Sequence, residues 1–240
     1  MPVSDPAGPG REAEEPAGGI PALLFDIDGT LISTGGASDR AWHRAFLELH
    51  DVDVNVPEYT GKGVPDPAVG LQCFRGALGR EPEGDEMAKL IMLRQRYLGE
   101  EVRDSPNYEV MPGVERTLDR LSDEGRLIGL ITGNTEPAAH IKLARANLNH
   151  FFAFGGYGSD ADERVDVCRK ALDRADLVAG GGLDRSACIA IGDTPLDVEA
   201  AHGAGIKVVS VATGEYSVEQ LREAGGDWVV ADLEADGVPF

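Results

Sequence analysis

The sequence contains little cysteine and no long apolar segment, which argues against a disulfide-rich protein and against a membrane-spanning one. Its 240 residues include three widely spaced cysteines, Cys73, Cys168 and Cys188. They form no CxxC pair, which argues against a disulfide framework, and we expect reduced, mostly buried thiols in a cytoplasmic protein. No apolar run approaches the ~18 residues that a membrane span needs. We therefore expect no membrane partner.

Basic residues are also scarce. The chain has 22 Lys and Arg against 42 Asp and Glu, which gives a formal net charge of −20. A surface of that sign repels the phosphates of nucleic acids and of anionic membranes at long range. We therefore expect no nucleic-acid partner, although a local cation can still bind a small anionic substrate. Hydrophobic residues make up 42% of the chain, which is enough to form a core.

Residues 1–19 differ in composition from the rest of the chain, because they are rich in Pro, Gly, Ala and Glu. That composition is typical of a disordered segment. The stretch also lacks the basic start and apolar middle of a signal peptide. We expect a disordered N-terminal tail outside the fold, and the remaining length suits one large domain or two smaller ones.

Short apolar segments rich in Ile, Leu and Val have the pattern of strands buried on both faces of a parallel sheet. The four clearest are Ala22–Ile27, Arg126–Thr132, Ala187–Asp193 and Lys207–Thr213, and two weaker ones are Phe151–Gly156 and Asp227–Asp232. Helical segments separate them, so the predicted fold class is α/β, with a doubly wound parallel sheet. In such sheets, ligands bind at the carboxyl ends of the strands.

One region interrupts this alternation. Residues 36–108 contain no convincing buried strand and predict three helices, at Ala37–His50, Asp66–Leu78 and Asp85–Val102. We expect a small helical domain inserted after the first strand. The predicted core then consists of residues 20–35 and 109–240.

The first strand ends in the sequence LLFDIDGTL, where Asp26 and Asp28 flank Ile27. Side chains alternate along a strand, so both carboxylates point to the same side. A surface turn is one interpretation, since Asp-Gly favours turns. Asp26, however, continues a buried apolar strand, and burying an unpaired charge is costly. A divalent cation such as Mg²⁺ would balance both carboxylates.

The third strand ends in a similar way, in the sequence AIGDTPLDV. Thr194 and Asp197 fit the cap of a following helix, with Pro195 at its first position. That local role does not explain Asp193, which closes an apolar strand with a carboxylate. If the strand ends share one face, Asp26, Asp28 and Asp193 form an acidic pocket that needs a cation.

The second strand ends in LITGN, directly before a helix. Thr132 offers a hydroxyl, and Gly133 and Asn134 offer backbone amides. Free N–H groups at a helix N-terminus bind phosphate oxygens. The alternative is an ordinary turn in which Asn134 or Thr135 caps the helix.

The motifs DIDGT, LITGN and GDTPLD, each at the end of an apolar strand and in this order, resemble those of the haloacid dehalogenase superfamily. The resemblance covers residues ~20–235, and the helical insertion is similar to the C1-type cap of the phosphoglycolate phosphatase and β-phosphoglucomutase branch. It implies that Asp26 is the nucleophile and forms an aspartyl-phosphate, and that Asp28 is the general acid and base. It also implies a Mg²⁺ ion bound by Asp26, Asp193 and the backbone carbonyl of Asp28.

The resemblance implies supporting roles as well. Thr132 and the amide of Gly133 or Asn134 would hold the phosphoryl group, Asp197 would support the metal site, and Thr30 would stabilise the loop through a hydrogen bond. The family also places a Lys or Arg after the second motif.

We assign that basic role to Arg164, where the family usually has Lys. Arg169 and Lys170 are rivals that we interpret as surface cations. In the predicted cap, Lys62 lies in the Gly-rich segment YTGKGVPDPAV and would contact an anionic part of the substrate, or else is an ordinary surface lysine.

The expected activity is therefore Mg²⁺-dependent hydrolysis of a small phosphate monoester. Dehalogenases of this superfamily lack the second aspartate of the first motif, so the presence of Asp28 argues against that activity. A phosphonatase would need a cap lysine that forms a Schiff base, and Lys62 and Lys89 are the candidates. A phosphomutase is the nearest alternative because it uses the same residues. A non-catalytic binding domain is another, although the intact acidic residues count against it.

Overall fold

The computed structural model describes residues 19–240. The predicted disordered tail therefore lies, apart from Gly19, outside the described residues. The described residues form eight strands: β1 (Ala22–Phe25), β2 (Ile32–Ser33), β3 (Glu109–Val110), β4 (Leu127–Ile131), β5 (Phe154–Gly156), β6 (Ile189–Gly192), β7 (Lys207–Val211) and β8 (Trp228–Val230). Its α-helices are α1 (Ala37–His50), α2 (Asp66–Cys73), α3 (Glu86–Asp104), α4 (Val114–Asp123), α5 (Glu136–Ala144), α6 (Arg164–Val178), α7 (Pro195–Gly203) and α8 (Val218–Glu223).

Six strands form one parallel sheet in the order β5-β4-β1-β6-β7-β8. Strand β1 lies between β4 and β6, with Phe25 paired to Leu130 on one side and to Ile191 on the other. Because the strands are parallel, the residues that follow β1, β4 and β6 meet at one edge. The order of the strands reverses direction beside β1, so this edge is also the expected ligand-binding crevice.

Both faces of the sheet are covered, which confirms the predicted doubly wound α/β class. One cluster of buried residues joins Leu23 and Phe25 to Leu118 of α4, and the other joins Leu24 to Val167 and Cys168 of α6. All three cysteines are buried free thiols. Within residues 19–240, no helix combines the length and the apolar character that crossing a membrane requires.

Helices α1, α2 and α3 follow β1 and have an apolar core of their own, in which Trp42 and Phe46 pack beside Phe74 and Leu98. Helix α1 has the bounds that the sequence predicts, but α2 is shorter and continues as one π-helical turn, Phe74–Leu78. We call residues 36–108 the helical insert. The short antiparallel strands β2 and β3 pair where it joins the sheet, and neither was predicted.

The three strands that carry the motifs end earlier than the sequence predicts. Strand β1 ends at Phe25, β4 at Ile131 and β6 at Gly192, so the polar residues of all three motifs lie in the loops that follow. After β1 the backbone turns at once, because the carbonyl of Ile27 accepts hydrogen bonds from the amides of Leu31 and Ile32.

Candidate active site

A cavity of about 720 Å³ lies between the carboxyl ends of β1, β4 and β6 and the helical insert. Its lining includes most of the predicted site residues: Asp26, Asp28, Lys62, Thr132, Gly133, Asn134, Arg164 and Asp193. Of the remaining two, Thr30 contacts Asp193, and Asp197 contacts Arg164. The three strand-end motifs therefore meet in one place.

Asp26 is buried, with 5% of its surface exposed, and is paired to a cation from α6. Arg164 Nη2 donates to Asp26 Oδ1 at 2.8 Å and to Asp197 Oδ1 at 2.6 Å. Burial raises the pKa of Asp26 to about 7 even though the Arg164 charge opposes it. Arg164, the first residue of α6, thus bridges the strand-end aspartate and the start of α7.

Asp193 is buried in the same cluster. Its Oδ1 accepts a hydrogen bond from Thr30 Oγ1 at 3.0 Å, which joins the first motif to the third. A Cβ atom added at Gly29 or Gly214 would collide with Asp193 Oδ2, so a larger residue at either position would displace this carboxylate. Burial, with repulsion from Asp197 and Asp26, raises the pKa of Asp193 to about 9.

The arrangement of these carboxylates fits a divalent metal. Asp26, Asp193 and Asp197 each offer an oxygen, and these oxygens lie within 4.8 Å of one another. Three buried carboxylates with one arginine leave a surplus of negative charge, and hard cations prefer oxygen ligands. Asp197 also forms a capping box with Thr194, so the local helix cap and the site share one residue.

Asp28 turns its carboxylate to a different cation. Lys142 Nζ donates to its two oxygens at 2.8 and 2.7 Å, and Asn134 Nδ2 donates to Oδ2 at 2.7 Å. Burial favours the neutral acid, but Lys142 and Asn134 outweigh it, so the pKa of Asp28 lies below its ordinary value. The Asp28 carboxylate is therefore not one of the three whose oxygens lie within 4.8 Å of one another.

The loop after β4 is held close to the rest of the site. Thr132 Oγ1 accepts a hydrogen bond from Asn134 Nδ2 at 2.8 Å, and Thr132 itself is fully buried. A Cβ atom at Gly133 would lie 2.9 Å from Arg164 Nη1 and 2.9 Å from the carbonyl oxygen of Val64. Glycine therefore lets the loop approach both the cation and the helical insert.

The sequence did not indicate Lys142, which the structure places beside Asp28. Its side chain is 2% exposed. In α5 it follows Ala138 and Ala139 at helical spacing and precedes Leu143, all of which are buried. A lysine in the apolar stripe of a short helix was the available signal, because a buried cation needs a carboxylate partner.

The other predicted cations lie farther from the carboxylates. Lys62 is half exposed at the cavity, with Nζ 3.5 Å from Glu215 Oε1. Arg169 is exposed and pairs with Asp166 on its own helix, and Lys170 is also exposed. The structure therefore brings Arg164, and not its two rivals, to the aspartates.

Comparisons with known proteins identify the family of the chain. Residues 20–205 match the family described as haloacid dehalogenase-like hydrolase. A phosphoglycolate phosphatase from Agrobacterium fabrum is 28% identical over 219 residues, which is 90% of each chain.

Two solved structures share the fold. The β-phosphoglucomutase of Clostridium difficile has a TM-score of 0.68 at 17% identity, over 89% of this chain and 92% of that one. A mutant form of CbbY from Rhodobacter sphaeroides, in complex with xylulose-(1,5)bisphosphate, has a TM-score of 0.70 at 19% identity, over 89% and 95% of the two chains. By its matching residues and its fold, the chain belongs to the haloacid dehalogenase-like hydrolases.

Proposed function

We propose that this hydrolase is a phosphatase that cleaves a small phosphorylated metabolite, a phosphate monoester, through an aspartyl-phosphate on Asp26. The observation that carries the proposal is the pair of aspartates two residues apart, each bonded to its own buried cation in one cavity. The name of the phosphatase from Agrobacterium fabrum supports the same reaction class.

The residues divide the reaction between them. Asp26 attacks the phosphorus, the bond from phosphorus to the ester oxygen breaks, and Asp28, which must enter this step protonated, gives its proton to the leaving oxygen. Water then attacks the phosphorus of the aspartyl-phosphate. Asp28 takes a proton from that water, the bond from phosphorus to Asp26 breaks, and inorganic phosphate leaves.

The positive charge around the phosphate comes from the chain itself and from a metal. Arg164 lies beside Asp26, while Thr132 and the amides of Gly133 and Asn134 would hold the phosphoryl oxygens. The carboxylates of Asp26 and Asp193 and the carbonyl of Asp28 would hold Mg²⁺, supported by Asp197. When bound, the ion offsets repulsion between the carboxylates and the phosphate.

The test measures release of inorganic phosphate from a panel of small phosphate monoesters, with Mg²⁺ and with EDTA. We expect turnover that needs the metal and is lost in Asp26→Asn, since an amide is a poor nucleophile. Undiminished activity in EDTA, or in Asp26→Asn, contradicts the proposed chemistry.

A phosphomutase would use the same residues, and a solved β-phosphoglucomutase shares the fold. The same panel separates the two activities. Isomerisation of a sugar phosphate without net phosphate release would establish the mutase. A chain that binds phosphate but converts no ester would instead be a binding domain.

A further inference from the structure

A buried residue of the helical insert, Asp66, contacts the chain on both sides of Asn134, at Gly133 and at Thr135. Asp66 is the first residue of α2 and is 6% exposed. Its backbone N–H donates to the carbonyl oxygen of Gly133 at 2.7 Å. Its carboxylate Oδ2 accepts a hydrogen bond from the N–H of Thr135 at 2.9 Å. Asp66 therefore holds the loop on both sides of Asn134.

These two bonds fix the orientation of peptide groups in the loop. The Gly133 carbonyl and the Asn134 N–H belong to one planar peptide, so a bond to the first sets the direction of the second. Thr135 is the N-cap residue of α5, yet its own side chain makes no capping bond. The carboxylate from the helical insert satisfies an N–H at this helix terminus instead.

Arg94 of α3 holds Asp66 in turn. Its guanidinium is fully buried, with Nη1 3.0 Å from Asp66 Oδ2 and Nη2 donating to Ser38 Oγ at 3.1 Å. Among the described residues, Nε and Nη1 have no well-aligned hydrogen bond. The Arg94 charge therefore depends on Asp66 for its balance, and α1, α2 and α3 are joined at the point that faces the core.

Other hydrogen bonds join the helical insert to the core beside Asp66. Gln95 Nε2 donates to Thr135 Oγ1 at 3.3 Å, and Arg164 Nη1 donates to the carbonyl oxygen of Gly63 at 3.3 Å. From the opposite side, Gly158 N–H donates to the carbonyl oxygen of Asn134 at 2.8 Å. The loop is thus held between the sheet and the helical insert.

We propose that Asp66, held by Arg94, is a positioning residue that orients the 132–134 loop for the phosphoryl group. The proposal rests on the proposed phosphatase function. It makes the helical insert part of the phosphate site, since the loop has its full set of bonds only when the insert lies against it. Asp66 acts through the loop and touches no reacting atom.

The test compares three variants with a matched control. Asp66→Ala removes the acceptor for Thr135, Asp66→Asn keeps an oxygen acceptor without the charge, and Asp66→Ala/Arg94→Met also removes the buried cation. The control is Asp227→Ala. Asp227 likewise accepts a backbone N–H, from Val208 at 3.0 Å, and pairs with His202, but it directly precedes β8, at the end of the sheet opposite the site.

The measurements are kcat and KM for the best-hydrolysed ester, the inhibition constant of inorganic phosphate, and the melting temperature. A 1 Å displacement of a positioned group can cost about 10²-fold in rate, so we expect kcat/KM of Asp66→Ala to fall by about that factor. Inorganic phosphate should inhibit Asp66→Ala more weakly than it inhibits the wild type. Asp66→Asn should recover part of the loss, and the double variant should recover melting temperature but not activity. Asp227→Ala should lose only stability.

The outcomes are separable. If the wild type is active and Asp66→Ala keeps its kcat/KM and phosphate inhibition within twofold, the positioning role is wrong and the phosphatase stands. The role is also wrong if the double variant regains activity together with stability, because Asp66 then serves only to balance Arg94. If the wild type turns over no ester, calorimetric titration with inorganic phosphate replaces kinetics, and equal affinity or no binding in wild type and Asp66→Ala again overturns the role.

Discussion

Asp26 and Asp28 lie two residues apart, but they differ in burial, in the cation that each one contacts and in the direction of the pKa shift. Asp26 is buried between Arg164 and Asp193, and burial raises its pKa to about 7. The Asp28 side chain is 43% exposed, and Lys142 and Asn134 hold its pKa below the ordinary value against the effect of burial. In the proposed mechanism, the partner cation and the access to the cavity, and not the residue type, would separate the nucleophile Asp26 from the proton carrier Asp28.

Removing the cation beside Asp26 should have the largest effect. In Arg164→Met, Asp26 and Asp197 lose their shared partner, and breaking such a buried pair costs about 3–5 kcal/mol of folding free energy. We also expect kcat/KM to fall by about 10³-fold, because preorganised charge at the phosphoryl group is lost. Steady-state kinetics and thermal denaturation measure the two effects, and Arg164→Lys should recover part of each.

Arg169→Met is the control for that variant, since Arg169 lies on the same helix but is exposed and pairs with Asp166. It should retain activity within about twofold, as expected for a surface pair. Equal losses in the two variants would mean that α6 tolerates no substitution and that Arg164 has no special place beside Asp26.

Removing the cation beside Asp28 should have a smaller effect. Lys142→Met leaves Asn134 as a donor to Asp28, so we expect kcat to fall by about 10²-fold, the range for general acid–base groups. Without the ammonium the pKa of Asp28 rises. The limb of the pH–rate profile that reports its ionisation should therefore move to higher pH.

We would measure the pH–rate profiles of Lys142→Met and of the wild type to test whether Lys142 lowers the pKa of Asp28. Lys170→Met, which removes an exposed lysine, should leave the profile in place. An unmoved limb in Lys142→Met would show that Asp28 does not depend on Lys142 for its protonation state.

A third prediction concerns stability in EDTA. The pKa values of Asp26 and Asp193 rise from 3.8 to about 7 and about 9, mainly through burial. Between the ordinary value and the raised values, the folded protein holds protons that the unfolded chain has released. Stability then falls as pH rises through this window.

We therefore expect the melting temperature in EDTA to decrease between about pH 5 and pH 9, and Mg²⁺ to oppose the decrease. Asp193→Asn should flatten the dependence, because an amide does not titrate. A melting temperature in EDTA that rises over the same range would contradict the raised pKa values.

The sequence predicts some of the site residues from local pattern alone. Carboxylates at the ends of apolar strands pointed to Asp26 and Asp193, because a parallel sheet places such ends together. Arg164 could be assigned only by resemblance to a family pattern. The doubly wound fold is confirmed, while the roles of the site residues stay predictions.

The residues that the sequence did not indicate act across elements. Lys142 reaches Asp28 only because α5 packs beside the turn after β1, and Asp66 reaches Thr135 only because the helical insert lies against the core. Local periodicity carries no information on such packing. Strands β2 and β3 are two residues each, too short to show alternation.

The smallest effect should come from Lys62, which lies at the cavity and pairs with Glu215. Its pair with Glu215 is exposed at 3.5 Å, and such pairs contribute about 0–1 kcal/mol. Lys62→Ala should therefore leave the melting temperature unchanged. If Lys62 contacts the substrate beyond the phosphate, KM should rise a few-fold for esters with a second anionic group and not for neutral ones, at constant kcat. Paired kinetics on an anionic and a neutral ester of equal length measure this difference, and equal KM changes for both would leave Lys62 as an ordinary surface lysine.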